Sequence, residues 1–119
     1  MAIDVEKQQP ILANLTGGLS GPAIKPLALN LIYRVYREVA GPANIPIIGM
    51  GGIQNWRDAV EFMLVGATAV GIGTAMFLDP TTPLRVVAGI EDYLRRHSLT
   101  SVSQLVGQLK PKRDDPPAG

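Results

Sequence analysis

The sequence predicts a fold of the α/β class, with parallel strands that alternate with helices. The first observation is a short apolar strand that runs into three glycines, at 46–52. The second is a similar strand with two glycines, at 69–74. Segments with helical periodicity lie before, between and after these two units. Strands without polar alternation are typical of parallel sheets covered on both faces, and alternation with helices gives the repeat that such sheets need.

The composition is that of an ordinary folded domain. The 119 residues are 46% hydrophobic and 18% charged, with a net charge of +1, so there is no basic field that would indicate nucleic acid. Cysteine is absent, which excludes disulfides, thiolate metal sites and a cysteine nucleophile from this sequence. Residues 1–7 do not resemble a signal peptide, and no apolar run approaches the ~20 residues needed to span a bilayer. We therefore expect a cytoplasmic protein.

The first forty residues predict a hairpin, a glycine-rich loop and a helix. Short strands are predicted at 2–5 and 11–14, joined by polar residues. The loop covers 16–22, and Pro26 suits the first turn of the helix that follows. Gly41 and the proline after it should end this helix. Its apolar stripe comprises Leu27, Ala28, Leu31, Ile32, Val35 and Val39.

The two strand-and-glycine units enclose a second predicted helix. The first strand is expected at 45–48, and the second at about 68–72. Asn55 is a suitable N-cap, and Asp58 in the first turn favours the helix dipole. This helix is predicted from Trp56 to about Val65, with Trp56, Ala59, Val60 and Met63 on one face.

The C-terminal part is predicted to be helical. Thr82 can cap a helix with Pro83 at its first position, and the apolar spacing continues to about Arg96. A short last helix should begin at Ser101. We expect residues 1–109 to form one unit and residues 110–119, which are charged and rich in proline, to form a disordered tail.

Two core strands and a hairpin do not make a stable sheet, because both edges of the parallel pair stay open. The pattern therefore indicates the last part of a larger domain. For the chain alone we expect exposed apolar surface, with dimerisation, aggregation or low stability as the result.

The glycine units are suited to binding an anion. Backbone N–H groups at the carboxyl ends of parallel strands can approach a phosphate closely, since glycine has no Cβ. In a (β/α)8 barrel, the loops after the last two strands often hold a phosphate. Gly49–Gly52 and Gly71–Thr74 fit these two positions, and Thr74 adds a hydroxyl donor. The alternative is that the glycines only form tight turns; a Rossmann site is not supported, because neither unit is a GxGxxG motif.

Three runs of sequence, at 16–26, 45–53 and 71–75, resemble the C-terminal part of dihydroorotate dehydrogenases, most closely the class 1B catalytic subunits. The resemblance covers residues 1 to about 109. It implies the last two strands and helices of an FMN-binding (β/α)8 TIM barrel, preceded by a hairpin. The implied activity is the oxidation of dihydroorotate to orotate in de novo pyrimidine (UMP) biosynthesis. The implied cofactor-binding residues are Gly21, Gly51, Gly52, Gly73 and Thr74.

The resemblance assigns no catalytic residue to this chain. The family's base is a cysteine or serine on a loop that precedes the matching region, so the 119 residues alone are expected to be inactive. A homo-oligomer or a chain that completes the barrel is expected, and the class implies an electron-transfer subunit with FAD and an iron–sulfur cluster. No metal, nucleic acid or membrane partner is expected.

Two alternatives stay open at this stage. The chain could be a non-catalytic remnant that binds a phosphate or needs a complementing chain. It could also belong to another FMN-dependent barrel, such as one like inosine monophosphate dehydrogenase or glycolate oxidase, although the run at 16–26 fits dihydroorotate dehydrogenases better. Ser20 and Lys25 are weaker candidate ligands, and His97 at a helix end is expected to be structural.

Overall fold

The computed structural model describes residues 1–110, in which helices and strands alternate as the sequence predicts. The predicted tail, from residue 111 on, lies outside the described residues. The elements in chain order are β1 (Ile3–Asp4), β2 (Gln9–Pro10), α1 (Lys25–Val35), β3 (Ile48–Met50), α2 (Trp56–Leu64), β4 (Ala69–Gly71), α3 (Thr74–Leu78) and α4 (Thr82–Arg96).

The N-terminal hairpin is present, but its second strand lies earlier than predicted. β1 and β2 pair antiparallel, with Ile3 opposite Pro10. The Asp4 carboxylate accepts hydrogen bonds from the N–H groups of Glu6 and Lys7, at 3.1 and 3.0 Å. This side chain closes the turn directly after β1, so the chain reverses before the predicted strand at 11–14.

The two strand-and-glycine units form a parallel pair, which confirms the central prediction. Ile48 lies opposite Ala69, and Met50 lies opposite Gly71. β3 begins later than the predicted strand at 45–48. Pro46 has no N–H to donate to a neighbouring strand, so regular pairing begins beyond it.

The helix predicted after Pro26 is confirmed, with a change of winding at its end. α1 ends at Val35 and continues as one π-helical turn, Tyr36–Ala40. The Gly41 N–H donates to the Tyr36 carbonyl at 2.8 Å, a bond five residues back rather than four. The chain leaves the helix at Gly41, as predicted.

The core lies between α2, α4 and one face of the parallel pair. Asn55 caps α2 as predicted, because its Oδ1 accepts from the N–H groups of Arg57 and Asp58. Gly89 on α4 lies so close to the Trp56 ring that a Cβ there would be 2.3 Å from it. The buried cluster comprises Ile53, Ala59, Val60, Phe62, Met63, Ala67, Val86, Ile90 and Leu105.

In the C-terminal part, two predictions need correction and one helix was missed. α3 was not predicted, since five residues without a side-chain cap give too short a periodic signal. Thr82 is the first residue of α4 rather than its cap; its hydroxyl donates to the Asp79 carbonyl at 2.7 Å. The helix predicted from Ser101 is a single 3₁₀ turn, Val102–Gln104, and Ser101 does cap it.

Apolar side chains remain exposed on several faces. The radius of gyration is 17.5 Å, whereas a compact domain of this length has about 13 Å. Ala28 and Ile32 of the predicted α1 stripe pack against the core, but its other members do not. The exposed apolar residues include Leu27, Leu31, Val35 and Val39 along α1, Ile48 and Met50 on β3, and Phe77 and Leu78 on α3.

We expect the chain to self-associate through such faces. Sedimentation at micromolar concentration should give an apparent mass above the monomer's 12.7 kDa. Leu27→Arg together with Leu31→Arg should move the distribution toward the monomer, because charges interrupt the α1 stripe. Asn30→Arg is the matched control, since Asn30 is exposed on the same helix but polar. Equal effects of the control and the double variant would contradict a role for the stripe.

Candidate functional site

Three loops converge at the carboxyl end of the parallel pair and line a cleft of about 320 Å³. The first is the glycine-rich loop before α1, the second is the β3–α2 turn, and the third is the β4–α3 turn. The lining residues include Ser20, Gly21, Met50, Gly51, Gly52, Gln54, Gly71, Gly73 and Thr74. All five residues predicted to contact a cofactor are therefore brought together at one cleft.

Gly52 is the contact between the first loop and the second. Its backbone φ angle is +70°, which residues with a side chain rarely adopt. A Cβ at this position would lie 2.7 Å from the Gly21 carbonyl oxygen and 3.0 Å from the Pro22 Cα. Both are backbone atoms, so no side-chain rotation could relieve the overlap. Glycine is required here for conformation and for space.

Gly51 brings the second loop against α1. Its φ is +131°, and a Cβ would lie 2.9 Å from the Ala28 Cβ. The third loop comes close to the first at Thr74, whose methyl group would be 3.8 Å from a Cβ on Gly21. Gly73, by contrast, has open space where its Cβ would be. The cleft therefore closes tightly around Gly51 and Gly52 and opens toward Gly73 and Thr74.

Within residues 1–110, the side chains that line the cleft carry no charge. Its polar groups are the hydroxyls of Ser20 and Thr74, the Gln54 amide and the backbone. An anion in this cleft would therefore be held by N–H and hydroxyl donors rather than by an ion pair. Lys25, a weaker candidate ligand, is not among the lining residues.

Lys25 instead forms an ion pair behind the cleft. Its ammonium lies 2.7 Å from Asp58 Oδ1 and 3.0 Å from Glu61 Oε2. Asp58 is buried, and its Oδ2 accepts the Gln54 N–H at 2.9 Å. We did not predict this cluster, because 33 residues separate the two partners. Its one signal in the sequence is that Asp58 stands four residues before Phe62 on the buried face of a helix, where a carboxylate needs a partner.

The contacts of this cluster shift both of its main pKa values. Although burial opposes it, hydrogen bonds from Lys25 and from the Gln54 N–H lower the pKa of Asp58 below its ordinary value. The Asp58 hydrogen bond raises the pKa of Lys25; partial burial opposes this and the Glu61 hydrogen bond adds to it. Both groups are therefore charged at neutral pH.

These shifts predict how stability depends on pH. Since the folded pKa of Asp58 is lowered, its contribution is present above about pH 4 and is lost as the pH falls through the folded value. The raised pKa of Lys25 gives a contribution that is lost only in strong alkali, above about pH 10.5. Urea unfolding from pH 6 to pH 2 should show a smaller loss of stability for Asp58→Asn than for the original sequence. If both proteins lost the same stability between pH 6 and pH 2, Asp58 would not be the group responsible for the acid dependence.

The remaining candidates form no second site in the part of the chain that the structure describes. His97 lies at the end of α4 and stacks on Tyr93, with ring centroids 4.2 Å apart, which is the structural position expected for it. Among residues 1–110, no group of three potential metal ligands comes together. Over the same range, no helix has the length and apolarity to cross a bilayer.

Comparisons with known proteins agree on one family. The model of the dihydroorotate dehydrogenase family matches residues 1–94. The chain is 54% identical over 110 residues to the catalytic subunit of dihydroorotate dehydrogenase B (NAD(+)) of Bacteroides fragilis, which covers 92% of this chain and 35% of that protein. The subunit of the same name from Geotalea daltonii is 56% identical over 110 residues, with the same coverage. The chain therefore spans about a third of the length of these relatives.

Solved structures give the same result. The structure of dihydroorotate dehydrogenase (DHODH) from Eimeria tenella in complex with ferulenol matches with a TM-score of 0.72 at 30% identity. The match covers 78% of this chain and 24% of that chain. The ligand-free form has a TM-score of 0.72 at 28% identity, and covers 87% of this chain and 28% of that one.

Proposed function

The chain belongs to the dihydroorotate dehydrogenase family and has the fold of part of its α/β barrel. From this premise we propose that it is the FMN-phosphate-binding part of an enzyme that oxidises dihydroorotate to orotate in pyrimidine biosynthesis. The observation that carries the proposal is the convergence of three glycine-containing loops at one cleft. When bound, FMN would supply the electron acceptor for this oxidation.

The cleft suits the phosphate end of the cofactor. We assign Gly21, Gly51 and Gly52 to the closed side, where the missing Cβ atoms of Gly51 and Gly52 let their turn pack against α1 and the first loop. Gly73 and Thr74 form the open side and offer a backbone N–H and a hydroxyl. A phosphate carries several acceptor oxygens and no donors at neutral pH, which matches a cleft whose backbone N–H groups and hydroxyls can donate.

We assign the rest of the reaction to groups beyond these 119 residues. No cysteine is present in the sequence to act as the family's base, so we expect no turnover from the chain alone. By analogy with the relatives named as NAD(+)-dependent B-type catalytic subunits, electrons would pass to a partner subunit with FAD and an iron–sulfur cluster, and the complex would be cytoplasmic.

Ligand discrimination tests the phosphate site directly. Titrating FMN and riboflavin into the purified chain, with flavin fluorescence as the readout, separates the phosphate from the ring. We expect FMN to bind at least about tenfold more tightly, a difference of ~1.4 kcal/mol. Inorganic phosphate should compete with FMN. Equal affinity for the two flavins, or binding of neither, would refute the phosphate assignment.

A chimera distinguishes the hypothesis that the chain is part of an active enzyme from the hypothesis that it is a non-catalytic remnant. The matching segment of the Bacteroides fragilis catalytic subunit, which is 54% identical, would be replaced by this chain. We expect the chimera to retain FMN and to reduce a dye in the presence of dihydroorotate. The same chimera with Gly52→Val is the control, and should lose both. A folded chimera that binds FMN without turnover would favour the remnant.

A further inference from the structure

The ion pair behind the cleft connects two of the loops that line it. Lys25 is the first residue of α1 and directly follows the turn Pro22–Ile24, while Asp58 lies in the first turn of α2. Among the ion pairs of residues 1–110, the two that Lys25 forms, with Asp58 and with Glu61, are those whose partners lie on the two sides of the contact between the Gly21 loop and the Gly52 turn. The others lie within the hairpin, between α1 and the π-helical turn that follows it, within α4, or between α4 and the loop before it.

Each partner also contacts the backbone that borders the cleft. The Cβ of Lys25 would lie 3.1 Å from a Cβ on Gly52, so the lysine packs against the turn that its ammonium secures. Asp58 Oδ2 accepts the N–H of Gln54, two residues after Gly52, at 2.9 Å. One carboxylate therefore binds the lysine at the start of α1, after the first loop, and the backbone of the second loop.

The burial of Asp58 makes this connection specific. Asp58 is 7% exposed, and a carboxylate that is largely removed from water needs its charge partner and its hydrogen bonds. Lys25 provides the charge, and its side chain is only 26% exposed. Without the ammonium, arrangements in which water reaches the Asp58 carboxylate would be favoured, and separation of the two loops provides such an arrangement.

We propose that the Lys25–Asp58 ion pair is a positioning device that holds the Gly21 loop against the Gly52 turn and so sets the width of the phosphate cleft. Lys25 acts through the loops and does not touch the ligand. Glu61 is a second acceptor that limits the motion of the ammonium. The consequence for ligand binding rests on the proposed function, whereas the connection between the loops does not.

Amide exchange in the ligand-free chain tests the connection. The readouts are the N–H of Ile24, which donates to the Gly21 carbonyl at 3.2 Å, and the N–H of Gln54. Each rate is divided by that of Phe62 in the core, so that a rise in the ratio marks a local opening and not a loss of global stability. Lys25→Met should raise both ratios by about tenfold, as expected when a local opening becomes easier. Lys25→Arg, which keeps the charge, should stay within about threefold of the original.

Val86→Ala is the matched control, because it weakens the core from α4 and does not line the cleft. It should raise exchange at Phe62 but should not raise the two exchange ratios. Ratios that respond equally to Val86→Ala, or that stay unchanged in Lys25→Met, would overturn the proposal.

FMN affinity then tests the consequence. All variants are measured under conditions where they are folded. Lys25→Met should weaken FMN binding by about tenfold. Lys25→Arg should retain most of the original affinity, and Val86→Ala should leave the affinity unchanged. Raised exchange ratios with unchanged affinity would overturn the positioning role. If the original chain binds no FMN, the proposed function fails, and the exchange ratios alone decide whether the ion pair connects the loops.

Discussion

Replacing Gly52 by valine should abolish FMN binding and lower the stability of the chain. The residue has a φ of +70°, which a β-branched side chain does not tolerate. Its Cβ would also overlap the Gly21 carbonyl oxygen and the Pro22 Cα. We expect a loss of about 2 kcal/mol or more in the free energy of unfolding, because backbone strain of this kind costs about 1–3 kcal/mol before any overlap is counted. The fall in FMN affinity should exceed about tenfold, since the two loops must separate.

Gly18→Val is the matched control for this variant. Gly18 lies in the same glycine-rich loop, but no atom lies within 4 Å of its Cβ position. Fluorescence titration with FMN and urea unfolding of both variants give the comparison. Gly18→Val should bind FMN like the original chain. If both valine variants bind FMN normally, the cleft around Gly52 does not hold the phosphate.

Truncating Phe62 should remove most or all of the stability of the fold. Its side chain projects from α2, is completely buried and belongs to the same core cluster as Ala67, which precedes β4. A Cβ on Gly49 would lie 2.7 Å from its ring, so the strand backbone packs directly on it. Phe→Ala in a core costs about 3–5 kcal/mol, which is a large fraction of the roughly 5–15 kcal/mol that stabilises a natural domain. We expect Phe62→Ala to lose the cooperative unfolding transition seen by circular dichroism.

Phe77→Ala removes the same atoms from the surface. Phe77 is 93% exposed on α3, so its truncation creates no cavity. Its free energy of unfolding should stay within about 0.5 kcal/mol of the original, the usual range for surface substitutions. Similar losses in the two variants would mean that the core does not lie where the structure places it.

What the sequence predicts well is what adjacent residues determine. Apolar runs and helical spacing predicted the parallel pair, α1, α2 and α4, because burial of one face imposes a period on the residues themselves. The Asn55 cap was also predictable, since its donors lie only two and three residues away. The glycines predicted the cleft, because glycine directly after a buried strand indicates a position where the backbone turns tightly or approaches another group closely.

What the sequence predicts poorly depends on distant partners or on single side chains. The Lys25–Asp58 ion pair joins residues that no local pattern relates. The second strand of the hairpin was misplaced because one carboxylate, Asp4, closes the turn early. α3 has too few residues for a period to emerge. The roles assigned to Gly21, Gly51, Gly52, Gly73 and Thr74 remain predictions that the titrations above will decide.

The register of the parallel pair has a consequence for the order of folding. Ile48 lies opposite Ala69, so the loop closed by this pairing is short, and α2 lies within it. Short loops lose little chain entropy on closing, and local contacts favour fast folding. The unit β3–α2–β4 should therefore form first, with α4 completing its core and the N-terminal hairpin joining last. Ala59→Gly in the centre of α2 should then slow refolding, whereas substitutions in the hairpin should leave the refolding rate unchanged.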